Sequence, residues 1–297
     1  MADLVQPRAR AVPALSGSLR LVGRRLRRNW PSAVALAAIV VMALMALLAA
    51  WIAPYEADAT DPAAALQPPS WQHWLGTDIY GRDLLSRIIF AGQVDLSVAF
   101  GATAIALAVG STIGALSGLY RGWVDLLIMR CVDSVMAFPA FILAMAITAA
   151  LGNTVTNVLF AIALTQVPTY LRLVRGEILR IREMEYADAA RVVGNPPWRL
   201  VFVHLLPNCL PPIIVQGTLA MGYALLTMAA LSFIGLGIRP PQSEWGSMTA
   251  EGAQYIVTGE WWLFLFPGLA IVVMVLSFNL IGDALRDFLD PRMRGVR

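Results

Sequence analysis

Side chains able to do covalent or metal chemistry are scarce in this chain of 297 residues. It has two histidines, His73 and His204, two cysteines, Cys131 and Cys209, and no lysine, because all 22 basic residues are arginine. A phosphate-binding P-loop needs the amine of a Gly-Lys-Ser/Thr triplet, so none can form. The histidines are far apart and fall on opposite expected sides of a membrane, which excludes an HExxH metal site or a His-based nucleophile triad built from both. A Gly-x-Ser-x-Gly elbow is absent. The cysteines sit at the edges of apolar runs and imply no disulfide framework. The expectation is no catalytic residue, no metal site and no cofactor in this chain. Any chemical energy it uses is captured by another chain.

The most crowded polar segment is EYADAARVVGNPPWRLVFVHLLPN, residues 185 to 208. Upstream, Leu171, Val174, Ile178 and Ile181 mark one stripe of a helix that runs out of an apolar segment. Four acids and six arginines lie between Arg172 and Arg199, too many for the bilayer. Glu185 to Val193 is good helix former, with Asp188 exposed to pairing and Ala189 and Ala190 offering a small surface. Gly194 supplies a left-handed helix end, Asn195 a cap for a second helix, and Pro196 its first position. Trp198, Val201, Phe202 and Leu205 give that helix an apolar face, and Pro207, Pro211 and Pro212 end it. The segment reads as a helix-turn-helix shaped to fit a groove; on physics alone a plain connector is equally open.

These pieces are carried by an all-α membrane protein. Composition is 58% hydrophobic and only 14% charged, outside the soluble class. Six runs are apolar enough to cross a hydrocarbon core about 30 Å thick: 34–53, 96–119, 126–149, 155–171, 210–236 and 263–282. The first is too long for a signal-peptide core and reads as a retained span. If six spans alternate, 19 arginines fall on one side and only Arg82, Arg87 and Arg239 on the other. Both termini and the polar segment are therefore expected in the cytoplasm. The excess of positive charge is explained by topology and lipid headgroups, with no need for nucleic acid.

Expected organisation is a basic arm and interfacial helix at 1–30, a six-helix domain at 31–292 and a tail at 293–297. Within it, 54–95 is an extracytoplasmic loop, and 172–207 is the cytoplasmic loop. Arg82, Asp83, Ser86 and Arg87 share one face of a short helix and Leu84, Leu85, Ile88 and Ile89 the other, as for a helix lying on the outer surface or against the protein's rim. Gly110, Gly114, Gly118 and Gly122 recur every four residues and let another backbone approach. Arg130, Asp133 and Asp283 lie within or at the ends of spans, either as structural ion pairs or as gating or substrate contacts. Trp245, Trp261 and Trp262 suit an aromatic belt at the outer interface, or a docking rim for an external partner.

The spacing of Asp188-Ala189-Ala190, Gly194 and His204, Leu206, Pro207 resembles the EAA loop of permease subunits in bacterial ATP-binding-cassette importers. "LGTDIYGRDLLSR" at 75–87, "PPQSEWGSM" at 240–248, "FPGLAI" at 266–271 and "FNLIGDALRDFLDPR" at 278–292 look like the dipeptide, oligopeptide and nickel permease group, in particular its C-type subunit. There are departures: Asp188 stands where glutamate is common, His204 where isoleucine is, Pro196-Pro197 where small or polar residues are, and Gln93 in place of an arginine.

The resemblance implies a six-helix type I importer permease with cytoplasmic coupling helices in the inner membrane. Its partners would be a second, B-type permease chain, two cytoplasmic ATP-binding chains holding ATP and Mg, and an extracytoplasmic solute-binding protein. Glu185, Asp188, Ala189, Ala190, Gly194, His204, Leu206 and Pro207 would form the ATPase-coupling loop. Di- or oligopeptides are the implied cargo; glutathione, nickel chelates and oligosaccharides are alternatives. A stand-alone secondary transporter would show midplane acids or paired interrupted spans, and neither is clear.

Overall fold

A computed structural model describes residues 30–239 and 241–289, whose regular structure is helical apart from one isolated antiparallel bridge between Thr77 and Asp83. The basic arm and the tail at 293–297 lie outside the described residues. In chain order the helices are α1 (Trp30–Leu47), α2 (Ala49–Ile52), α3 (Leu84–Tyr120), α4 (Gly122–Met136), α5 (Ala140–Leu151), α6 (Val155–Ile181), α7 (Glu185–Val192), α8 (Pro197–Arg199), α9 (Leu210–Phe233), α10 (Trp245–Ala253) and α11 (Trp262–Leu289).

Five helical runs are long and apolar enough to cross a membrane: α1, α3, α6, the stretch from Pro197 to Phe233, and α11. The expected third span, 126–149, is not one helix. α4 and α5 meet at 84°. Pro139 lacks a backbone N–H and drives the residue before it out of the helical region, so the run breaks over 137–139.

Packing shows that this bent pair still carries the chain across. α3 and α6 run parallel: Gly110 faces Tyr170, Gly114 faces Leu171 and Gly118 faces Ile178. Parallel neighbours need a return crossing between them, and α4 with α5 is the only connection. Asp125 at the start of α4 accepts from Ser117 Oγ and, bidentately at 2.6 and 2.7 Å, from Arg175 of α6, while Asn153 beyond α5 donates to the Gly235 carbonyl at the opposite end. Six traverses result.

The glycine stripe explains the closeness of α3 and α6. A Cβ on Gly114 would stand 2.5 Å from the Leu171 carbonyl oxygen, and one on Gly110 would stand 2.6 Å from Tyr170 Cβ. Gly122 plays another part: its φ of +63° follows Arg121 at +55°, where the chain turns from α3 into α4.

At 37 residues α3 is about 55 Å long, far more than a bilayer core requires. Its first turns belong to a folded head opposite the 182–209 end. Here the expected surface helix is corrected: Arg82, Asp83, Ser86 and Arg87 are all buried, and α3 continues without a break. Asp78 gathers them, accepting from the backbone of Tyr80 and Arg82, from Arg82 Nε at 2.6 Å and from the Arg87 guanidinium. Arg87 Nε also donates to Ser243 Oγ at 3.3 Å. Asp83 caps α3 through the Ser86 N–H at 2.8 Å and meets His73 Nδ1 at 2.9 Å. The loop over 54–75 is thus tied down; Thr77 Oγ1, for instance, receives the Gln67 N–H at 2.8 Å and donates to the Ala64 carbonyl.

Candidate functional site: the polar hairpin

α6 leaves the apolar layer with Leu171, Val174, Ile178 and Ile181 all buried, as the periodicity predicts. It ends at Arg182, and Met184 is extended (φ −87°, ψ 147°), so the chain turns into α7. α7 closes as expected at Gly194, whose φ is +84° and whose N–H donates to the Arg191 carbonyl at 2.9 Å.

The start of the next helix is one residue later than the sequence predicts. Asn195 does not cap it. Its side-chain amide donates back to the Ala190 carbonyl at 2.8 Å, closing α7 instead. Pro196 is extended (ψ 153°), as a residue before proline must be, and Pro197 takes the first helical position. The proline pair is therefore an ordinary helix entry.

A second correction concerns the apolar face. Leu200, Val201, Leu205 and Cys209 are buried, and they share a core with Ile178, Ile181, Ala187 and Ala190. Trp198 and Phe202 point outward. Nor do the prolines end the helix: π winding at Leu200–Leu205 and 3₁₀ winding at Leu206–Cys209 carry the chain into α9. Changes of hydrogen-bond step absorb a proline that α winding would reject.

The result is a hairpin with a packed underside and an apolar tip. Val192 is 88% exposed, Val193 82% and Trp198 62%. Around them lie the exposed charges Glu183, Glu185, Asp188 and Arg199. An apolar centre inside a charged rim is the anatomy of a docking surface.

Of the expected loop residues, Glu185, Asp188, Ala189, Gly194 and Pro207 are exposed, Ala190 is buried, and His204 and Leu206 are partly buried. Asp188 is held by Arg191 on its own helix at 2.5 Å. Val192 and Val193 were missed by sequence reasoning, although two β-branched residues before a glycine are a visible signal.

Arg182 was missed as well. Its Nη1 donates to the carbonyls of Gly118 (3.0 Å) and Leu119 (2.8 Å), two acceptors at the C-terminal end of α3, and its own carbonyl receives Arg191 Nη2 at 2.9 Å. Burial first, then the positive charge of Arg121 and Arg191, draws its pKa below the ordinary guanidinium value. A guanidinium remains charged there nonetheless and complements the negative end of the α3 dipole. Hairpin and α3 are thereby joined.

The remaining candidates separate. Asp133 pairs with Arg172 at 2.6 Å rather than with Arg130, and both partners are solvent-exposed. Arg130 and Asp283 are exposed. Trp245 is completely buried and Trp262 nearly so, its indole N–H on the Thr77 carbonyl at 3.3 Å; neither belongs to an outer belt or docking rim. Only Trp261 remains half exposed.

A bundle of crossing helices with a polar hairpin projecting from one end defines a class. Residues 110–295 match the family described as binding-protein-dependent transport system inner membrane component, and the chain belongs to that family. Residues 18–69 match the N-terminal transmembrane domain of oligopeptide transport permease C. The chain is 44% identical over 271 residues to the dipeptide transport system permease protein DppC of Alkalihalophilus pseudofirmus, covering 91% of this chain and 89% of that one. It is 41% identical over 295 residues to a putative peptide transport system permease protein of Brucella abortus, with 99% of each covered. A glutathione transport system permease protein, GsiD of Pectobacterium atrosepticum, is 38% identical over 91% of this chain and 90% of its own length. The chain is thus a multi-pass inner membrane permease component.

Proposed function

We propose that this chain is the C-type permease subunit of an ATP-driven importer for di- and oligopeptides, forming half of the pathway beside a B-type permease chain. Two cytoplasmic ATP-binding chains carry ATP and Mg, and an extracytoplasmic solute-binding protein delivers the peptide. Arginine distribution supports placing the hairpin and both termini in the cytoplasm. Peptide cargo is supported by the names of the dipeptide and peptide relatives; a glutathione carrier is the second reading, favoured by the GsiD likeness.

The observation that carries the reading is the hairpin tip. Val192, Val193 and Trp198 are exposed apolar side chains on a rigidly packed base, as an apolar helix seated in a partner's groove requires. Closure of the ATP-binding pair moves the tip. Two routes carry the motion inward: the unbroken helical run from Pro197 to Phe233, and Arg182 on the end of α3. Nucleotide state in the partner thereby selects between two arrangements of one bundle, with no covalent step in this chain.

The test is the reconstituted importer carrying Val193→Asp, a substitution at an exposed site with little effect on folding. The ATP-binding chains are expected to dissociate during purification, and uptake to cease. Gly194→Val, which forces a β-branched residue to φ +84°, is expected to leave the ATPase bound and uncouple hydrolysis from uptake. Normal coupled uptake in both variants sinks the proposal.

A further inference from the structure

Midway along the bundle, α6, α9 and α11 enclose a cavity of about 460 Å³, open on one side, which the hairpin mechanism does not use. Its polar side chains include Gln166, Thr169 and Tyr170 from α6, Gln216 and Tyr223 from α9, and Asn279 from α11. No acid, arginine or histidine lines it. Amides and hydroxyls without charge are an unusual lining at mid-helix, where packing alone would select apolar residues.

Two of these side chains are incompletely satisfied. Tyr170 is fully buried, yet its hydroxyl has no hydrogen-bond partner among the described residues. Gln166, 5% exposed, donates from Nε2 to the Ala220 carbonyl at 3.2 Å, while its Oε1 accepts from nothing among the described residues. Gly217 keeps the space near the Tyr170 hydroxyl open, since a Cβ there would stand 3.7 Å from it. A buried polar atom without a partner is costly and marks a place for something that enters. Between transport events the cavity has room for several waters.

We propose that Gln166 and Tyr170 form a transit station for the main-chain amides of the peptide, resting on the reading above that this chain forms half of a peptide pathway. Each peptide bond presents one N–H donor and one carbonyl acceptor. Gln166 Oε1 accepts the N–H, and the Tyr170 hydroxyl donates to the carbonyl. The uncharged walls provide no ion pair for a terminus or side chain, so the station reads the backbone and ignores the residues it carries. Weak neutral contacts release the cargo again, whereas a buried charge pair would hold it.

The assembled importer in proteoliposomes, with its solute-binding protein, tests this using an equimolar mixture of dipeptides and tripeptides built from Ala, Phe, Lys and Glu. Uptake of each is read by mass spectrometry. Tyr170→Phe deletes one oxygen and keeps the ring; Gln166→Leu removes both hydrogen-bonding atoms. Each is expected to lower uptake about fivefold, and the double variant further, as for one neutral hydrogen bond lost per site. The loss is expected to be uniform across side chains, at unchanged complex yield and melting temperature. Should Tyr170→Phe fail to assemble, Thr169→Val on the same wall serves, with the same expectation. Wild-type rates in the variants, or a loss confined to one side-chain class, overturn the station alone. Absence of uptake by the wild type overturns the peptide reading itself, and the station with it.

Discussion

The indole N–H of Trp245 donates to the main-chain carbonyl of Ile88 across 2.9 Å, joining α10 to the first turns of α3 from 157 residues away in sequence. The backbone N–H of Trp245 meets Asp95 Oδ2 at 3.1 Å, so one residue is held at both its ends. Trp245→Ala is expected to cost about 3–5 kcal/mol as a buried cavity opens. Trp261→Ala, at a half-exposed ring, should change stability by less than about 1 kcal/mol. Thermal unfolding of the detergent-solubilised complex measures both; equal shifts for the two would contradict the packing role.

Gly114 and Gly176 predict opposite signs for one substitution. A methyl on Gly114 meets the Leu171 backbone, which cannot step aside, so Gly114→Ala should destabilise by about 1–3 kcal/mol. Nothing lies within 4 Å of a Cβ on Gly176, inside α6, and Gly176→Ala should stabilise by about 0.5–1 kcal/mol. Melting temperatures moving the same way in both would show that α3 and α6 do not pack at this distance.

Arg182→Met keeps the stem of the side chain and removes its donors to Gly118 and Leu119. Loss of charge-assisted bonds at a helix C-terminus is expected to cost about 2 kcal/mol. Hydrogen exchange should quicken at the end of α3 and in α7 together, because Arg191 is bonded to the Arg182 carbonyl. Faster exchange in one of them only would separate the two elements.

Glu244 gives a pH dependence. It is fully buried, and burial pushes its carboxyl above the usual range despite the donors from Ser232, Ser247 and Gly246. The folded state therefore holds the proton more tightly than the unfolded one. Its contribution is complete below the unfolded value, about pH 4.3, and is lost as pH rises through the raised folded value. Glu244→Gln should flatten the fall of melting temperature over that window; parallel curves for variant and wild type would refute the assignment.

Long apolar runs, the small-residue stripe from Gly110 to Gly118 and the inward stripe from Leu171 to Ile181 were legible because each is a local periodicity that one buried face imposes. Gly194 was legible for a similar reason, since a left-handed turn there separates α7 from α8. The polar face at Arg82 and Arg87 misled because amphipathicity tells which residues differ and not what covers them. Here Asp78 and Ser243 cover them, and Ser243 comes from 156 residues further on. Trp245 failed likewise, its indole partner being a distant carbonyl. Pro139 was visible, yet hydrophobicity continuing through it concealed the break between α4 and α5. Uncharged polar residues such as Gln166 and Tyr170 raised no signal, for they leave an apolar average nearly unchanged.

The mixed winding between Trp198 and Leu210 makes that stem a phase adjuster. A 3₁₀ helix advances about 120° per residue and an α-helix about 100°, so each residue converted turns everything beyond it by about 20°. The 3₁₀ stretch alone holds four residues. A push on the hairpin can thus reach α9 as torque, swinging Gln216 and Tyr223 around the helix axis without lengthening the rod.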